Sequence, residues 1–159
     1  MPAAKPKPDT TACAAGITDP LHLDQQLCFA LYAASNRIQR LYRPLLDQLE
    51  LTYPQYLVML VLWQHGKRSV GELGQALHLD SGTLTPLLKR LEAAGLVERK
   101  RCSEDERRVF VRVTAQGQDL RERAVGIPHG VACATTLNPD KLVRLREEVK
   151  RLLKALGEG

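Results

Sequence analysis

The sequence predicts a mainly α chain with a small β wing, and three observations predict it. Between Ser69 and Gly95, two short helical patterns meet at a tight polar turn. A charged two-stranded ribbon follows, Leu96 to Lys100 and Val109 to Thr114. Long stretches of helical apolar spacing stand at both ends of the chain. Helix, turn, helix and basic ribbon, in that order, is the pattern of a winged helix-turn-helix.

A length of 159 residues fits one domain. The 23 basic and 18 acidic side chains leave a net charge of +5, a modest excess that suits nucleic acid. Its distribution says more. Arg99, Lys100, Arg101, Arg107, Arg108 and Arg112 cluster in the ribbon against only Glu104, Asp105 and Glu106. The apolar runs are too short to span a bilayer, and the N-terminus lacks the apolar core of a signal peptide. A cytoplasmic protein without membrane contact is expected. There, Cys13, Cys28, Cys102 and Cys133 stay reduced unless one senses redox state. No CxxC pair occurs and the four histidines are scattered, so neither a metal site nor a cofactor is expected.

Residues 1–19 read as a flexible tail, with Cys13 incidental within it. From Pro20 to Leu49, Leu23, Leu27, Leu31, Ala34, Ile38, Leu41 and Leu45 recur at helical spacing. This predicts a long helix, bent or broken near Pro44. Thr52 caps the next helix, Pro54 sits in its first turn, and Gly66 ends it. That helix is apolar on most faces and so is expected to be buried. Ser69-x-x-Glu72 is a capping box starting a short helix with Leu73, Ala76 and Leu77 inward. Asp80 and Ser81 supply caps for the next, where Leu84, Leu87, Leu88 and Leu91 form one stripe and Gly95 is the stop. Val109, Val111 and Val113 alternate with Phe110 and Arg112 as a half-buried strand does. A helix from Thr114 to about Val125 follows. The run 126–130, Gly-Ile-Pro-His-Gly, then reads as a break, with Cys133 in a small-residue segment behind it. Asn138-Pro139-Asp140 starts the last helix. Its Leu142, Leu145, Val149, Leu152 and Leu156 form a coiled-coil-like seam. The domain core uses only part of the two terminal helices, so the rest is expected to pack on a second copy. One domain over 20–159 results, with 69–114 as its DNA-binding module and 20–50 and 115–159 as dimerisation helices.

An α-helix fits the major groove. Ser81, Thr83, Thr85, Lys89 and Arg90 are the candidate contacts of the second short helix, the threonines toward bases or phosphates and the cations toward phosphate. Arg107 at the wing tip suits an adjacent minor groove, with Asp105 aiming its guanidinium through a charge-assisted pair. Any one such cation is usually a solvated surface charge; it is the ordered set that points to double-stranded DNA. A homodimer would read two half-sites of a pseudo-palindrome about 34 Å apart.

Cys28 falls beside Leu27 and Leu31 near an apolar face, where the default is a small inert core residue. A resemblance changes its standing. Residues 27–32 (Leu-Cys-Phe-Ala-Leu-Tyr), 51–56 (Leu-Thr-Tyr-Pro-Gln-Tyr), 79–92 and the Asp-Glu-Arg-Arg run at 105–108 closely resemble the MarR family. Within that family they resemble the organic hydroperoxide resistance regulators, over roughly Leu21 to Leu156. The cysteine motif singles out the peroxide-sensing branch.

The resemblance implies a peroxidatic role for Cys28, hydrogen bonds to its sulfur from Tyr42 and Tyr53 of the partner subunit, and a resolving role for Cys133. Phenol donors favour a thiolate. It further implies a repressor whose Cys28 is oxidised by an organic hydroperoxide to a sulfenic acid, then condenses with Cys133 across subunits and releases operator DNA. Cys102 at the start of the wing loop has no role in the motif. Two readings of other kinds stay open at this level. One is a repressor of the same architecture released by a phenolic or lipophilic ligand without thiol chemistry. The other is a thiol peroxidase turning over peroxide at Cys28, although a regulator rather than an enzyme is expected.

Overall fold

The computed structural model describes residues 21–105 and 107–157. The expected tail, with Cys13, lies outside the described residues. The chain forms two compact units, the first ending at Arg37 and the second beginning at Ile38. In the first, a 3-10 turn at Leu23–Gln25 precedes helix α1, Leu27–Asp47, which continues past the boundary. The first helix therefore starts later than its apolar spacing suggests, because Gln26 is extended and ends the 3-10 turn. It is also not broken: α1 runs through Pro44, whose ring removes one donor without ending the helix.

In the second unit, α2 (Tyr53–His65) is the central element. Thr52 and Gln55 form a reciprocal capping box, the Thr52 N–H donating to Gln55 Oε1 at 2.8 Å. Val58, Met59 and Leu62 are buried, together with Tyr56. The expectation of a wholly buried helix is only partly met, since Leu60 lies exposed along a groove described below.

Arg68–Ser69 forms a short strand, β1, and Ser69 then caps α3 (Val70–Leu77) in a second capping box. Leu73 is buried on α3, but Ala76 faces solvent rather than inward. His78 adopts left-handed geometry (φ +53°), and Leu79 N–H reaches back to the Gly74 carbonyl at 2.9 Å. This makes the tight turn. A Cβ on Gly74 would come within 2.8 Å of the Leu79 carbonyl oxygen, so the turn needs a glycine there. Helix α4 (Ser81–Ala93) buries Leu84, Leu88 and Leu91. Burial of each such leucine contributes about 2 kcal/mol, which holds the opposite face of α4 outward. Gly95 (φ +73°) ends it as expected, with Leu96 N–H on the Leu91 carbonyl.

Strands β2 (Val97–Arg101) and β3 (Val109–Val113) pair antiparallel, Val97 opposite Val113 and Arg101 opposite Val109. β1 adds on the far side of β3, Ser69 opposite Phe110, so the expected ribbon is a three-stranded sheet of order β1-β3-β2. Thr114 caps α5 (Ala115–Ala124). A Cβ on Gly117 would collide with the Leu96 carbonyl oxygen, which is how α5 lies against the start of β2. Trp63 Nε1–H donates to the Gly117 carbonyl at 2.9 Å and ties α2 to the same point.

The run 126–130 does not break the chain. It opens α6, Ile127–Ala134, because Gly126 takes the capping position and Pro128 falls in the first turn, where its missing N–H costs nothing. Helix α7 (Pro139–Ala155) starts at Asn138 as expected. None of its residues is buried, and Leu145 is 52% and Leu156 74% exposed. Among the described residues no helix is long and apolar enough to cross a membrane.

Candidate nucleic-acid interface and thiol sites

Three groups of residues carry the chemistry, and the first lies on α4. Asp80, not Ser81, is its N-cap: its carboxylate accepts the Thr83 N–H at 2.8 Å and the Thr83 hydroxyl at 3.0 Å. Those bonds, led by the one from the Thr83 backbone, hold the Asp80 carboxyl below its usual range. The Thr85 hydroxyl donates to the Ser81 carbonyl at 2.7 Å. Both threonine protons are thus committed within the helix. What Thr83 and Thr85 present are lone pairs and methyl groups, suited to base amino groups and the thymine methyl. Lys89 and Arg90 are exposed, and neither forms an ion pair with a described residue.

The second group is the wing. Glu92 of α4 binds Arg99 of β2 through Nε at 2.8 Å and through the Arg99 N–H at 3.1 Å, fixing helix and sheet together. The pairing holds the Glu92 carboxyl below its usual range. Glu98 and Arg112 pair across the strands. Lys67 and Arg108 both lie over the Phe110 ring, at 4.6 and 5.2 Å from its centroid. A groove of about 410 Å³ between α4 and the wing is lined by Thr85, Arg99, Arg107 and Arg108. Asp105 does not aim the Arg107 guanidinium. It accepts the Arg107 backbone N–H at 3.1 Å, a local bond that shapes the wing tip and leaves the guanidinium to solvent.

The third group is the sulfur chemistry. Cys28 is the second residue of α1 and is exposed, as are its neighbours Leu27, Phe29 and Tyr32; the inert core position is not what the helix provides. In the other unit, Tyr42 and Tyr53 are brought together with ring centroids 4.9 Å apart, and Tyr56 lies 5.9 Å from Tyr42. Burial first, then the neighbouring Tyr53, raises the Tyr42 phenol above its ordinary range; burial raises Tyr53 likewise. Tyr56 is pushed up to about 12 by burial and by both neighbours. The cluster therefore keeps its hydroxyl protons, the state a donor needs. Tyr56 was not expected in this group; its place one helical turn beyond Tyr53 is the signal that could have found it.

Cys133 is exposed near the end of α6, and its sulfur lies 3.6 Å from His129 Nε2. The scattered histidines show no ligand spacing in the sequence, but once 127–134 is a helix, residues 129 and 133 are neighbours. Cys102 is half-buried at the wing base, and Cys28, Cys102 and Cys133 are all free thiols. Among the described residues no group of three or more His, Cys, Asp and Glu side chains could hold a metal ion.

A capped helix held after a tight turn and clamped to a cationic three-stranded wing defines a winged helix-turn-helix regulator of transcription. Comparison with known proteins places it more narrowly. The family profile of the transcriptional regulator SarA/Rot matches residues 40–123. The organic hydroperoxide resistance transcriptional regulator of Bacillus subtilis (strain 168) is 46% identical over 140 residues, covering 88% of this chain and 95% of that protein. The HTH-type transcriptional regulator TtmR of Methylorubrum extorquens (strain PA1) is 53% identical over 126 residues, 79% of this chain and 65% of the longer relative. Among solved structures, reduced AbfR bound to DNA superposes with a TM-score of 0.69 at 36% identity, covering 84% of this chain and 94% of that one. Its disulfide form gives 0.61 at 35% identity, covering 86% and 93%. The chain belongs to the MarR family of DNA-binding transcriptional regulators, in the organic hydroperoxide resistance branch.

Proposed function

We propose that this regulator is a homodimeric repressor that binds a pseudo-palindromic operator and is switched off by organic hydroperoxides through Cys28. The observation that carries the sensing role is an exposed Cys28 in a chain that also holds a cluster of protonated phenols, Tyr42 and Tyr53. Those phenols, supplied by the partner subunit, stabilise the Cys28 thiolate. The thiolate attacks the terminal oxygen of the hydroperoxide, the O–O bond breaks, and the alcohol leaves with a proton; Cys28 is left as a sulfenic acid. Cys133 of the partner then attacks that sulfur and water leaves, giving an intersubunit disulfide. A disulfide needs its Cα atoms within about 7 Å. Drawing α6 toward the partner's α1 strains the frame that spaces the two α4 helices, and DNA is released. Thiols reset the switch. AbfR is known in a reduced form bound to DNA and in a disulfide form, which supports the same pair of states here.

The test is a gel shift with cumene hydroperoxide, read beside a non-reducing gel. Loss of the complex together with a disulfide-linked dimer is expected. Release of DNA from a Cys133→Ser variant by the same dose would remove the resolving step from induction.

A second reading has one observation in its favour. An apolar groove of about 390 Å³ lies among Tyr56, Leu60, Trp63, Val125 and Pro128. A phenolic or lipophilic inducer bound there would release DNA without thiol chemistry. Cys28→Ser separates the two, because only the ligand-driven regulator stays inducible.

A further inference from the structure

We infer that His129 is the general base for Cys133, taking the thiol proton as the sulfur attacks oxidised Cys28. The inference rests on the disulfide reading above and deepens it by naming how its second step is driven.

The geometry is set by α6. Ile127 and Val131 are buried, and a Cβ on Gly130 would lie 3.2 Å from Leu45 Cδ1, so this side of α6 sits close against the second unit's part of α1. Residues 129 and 133 lie one turn apart away from that contact, and both side chains are exposed. Packing therefore requires neither a histidine nor a cysteine at these positions. Their Sγ and Nε2 atoms nonetheless stand 3.6 Å apart, within hydrogen-bond reach for sulfur. Neither side chain makes any other hydrogen bond or ion pair among the described residues. A nucleophile beside an uncommitted base, with both open to a partner molecule, is the arrangement that activates a thiol.

With its proton on Nδ1, the ring accepts the Cys133 thiol proton at Nε2. The sulfur's electron pair attacks the Cys28 sulfenic sulfur, the S–S bond forms and the S–O bond breaks. The departing hydroxide takes the proton back from the imidazolium and leaves as water. No outside oxidant is consumed, because the hydroperoxide has already oxidised Cys28. The rate of this step decides the fate of the switch. A sulfenic acid that waits is open to further oxidation to a sulfinic acid, which thiols do not reverse.

The test uses the full chain with Cys13→Ser and Cys102→Ser, leaving Cys28 and Cys133. After one equivalent of cumene hydroperoxide, dimedone trapping follows the sulfenic acid and a non-reducing gel follows the disulfide. His129→Ala is expected to form the sulfenic acid at the unaltered rate but to condense about tenfold or more slowly. Added imidazole restores condensation, which a purely structural role would not allow. With Cys28→Ser also present, iodoacetamide alkylation of Cys133 at neutral pH is expected to slow in His129→Ala and to recover with imidazole. That arm reads the dyad even if no disulfide forms, an outcome that would sink the disulfide reading alone. Wild-type alkylation in His129→Ala, or a slowed rate that imidazole does not rescue, overturns the inference.

Discussion

At the scale of single residues, the hydrogen-bonded carboxylates of α3 and α4 and the phenols around α2 give opposite pH dependences. Glu72, Asp80 and Glu92 have carboxyls held below their usual range by the Ser69 and Thr83 hydrogen bonds and the Arg99 contact. A depressed folded-state pKa stabilises the fold above the unfolded value and loses that contribution as pH falls through the folded one. Stability should thus decline below about pH 4.5, and Asp80→Asn should flatten that decline in urea titrations across the acid range. The tyrosines act at the other end. Tyr42, Tyr53 and Tyr56 are raised, Tyr56 to about 12, so the folded chain holds their protons longer than the unfolded chain does. Their contribution is complete below pH 10 and is lost as pH rises toward 12, by at most about 1.4 kcal/mol per pH unit for each group. Tyr56→Phe should keep neutral-pH stability nearly unchanged and make the alkaline loss shallower; an equally steep loss would show that the cluster does not titrate late. Among the described glycines, Gly117 is where added bulk matters most, because a Cβ there meets the Leu96 carbonyl and the Val113 side chain. Gly117→Ala is expected to cost about 3 kcal/mol in chemical denaturation, through strain rather than lost contacts.

At the scale of elements, α4 and the wing beside it should separate affinity from preference. Lys89 and Arg90 are exposed and unpaired among the described residues, so each can neutralise a phosphate. Lys89→Ala and Arg90→Ala should each weaken binding alike on all sequences and reduce the slope of log affinity against log salt by about one. Thr83 and Thr85 present methyls and lone pairs, so Thr83→Ala should alter base preference while leaving the salt slope alone. An unchanged slope in both cation variants would move α4 out of the groove. Much of this was legible in the chain. A threonine cap, one capping box, a glycine stop and an alternating valine strand are local signals, and the structure places α2 to α4 and β3 where those signals put them. Other features depend on tertiary partners that no local pattern contains. β1 is two residues long and exists only because β3 pairs with it. The 126–130 run carries two glycines and a proline, yet Gly126 caps, Pro128 sits in the first turn and Gly130 makes room for Leu45. Once 127–134 is a helix, the His129–Cys133 pair is simple i, i+4 spacing. The commitment of the threonine hydroxyls to Asp80 and to the Ser81 carbonyl followed from helix geometry, but only after Asp80 was known to be the cap.

At the scale of the whole molecule, α7 is the element a single chain leaves unexplained. It has 17 residues and no buried one, and a helix of about 26 Å draws most of its stability from packing of its apolar face, which a single chain does not supply here. Leu145 and Val149 are exposed on it, and Leu156 at its C-cap, along the stripe of the heptad-like spacing. A second copy is the partner proposed above, and it would cover this stripe as well as supply the intersubunit disulfide. Leu145→Asp combined with Val149→Asp should therefore yield monomers in sedimentation velocity, with the circular dichroism of the winged module retained. The DNA consequence follows from geometry. A dimer contacts two half-sites, so the monomer should lose most of its affinity and about half of its salt slope. The intact dimer should also be sensitive to operator spacing. Inserting about five base pairs between half-sites turns one of them to the opposite face of the duplex, whereas about ten restores the face at a greater distance. Strong loss on the first insertion with partial recovery on the second is expected of two rigidly joined modules. A double variant that stays dimeric would place the interface elsewhere than α7, and equal tolerance of both insertions would show that the modules are not held in fixed register. In that last case, a disulfide between subunits would have no spacing to disturb, and the switch would have to act through α4 or the wing directly.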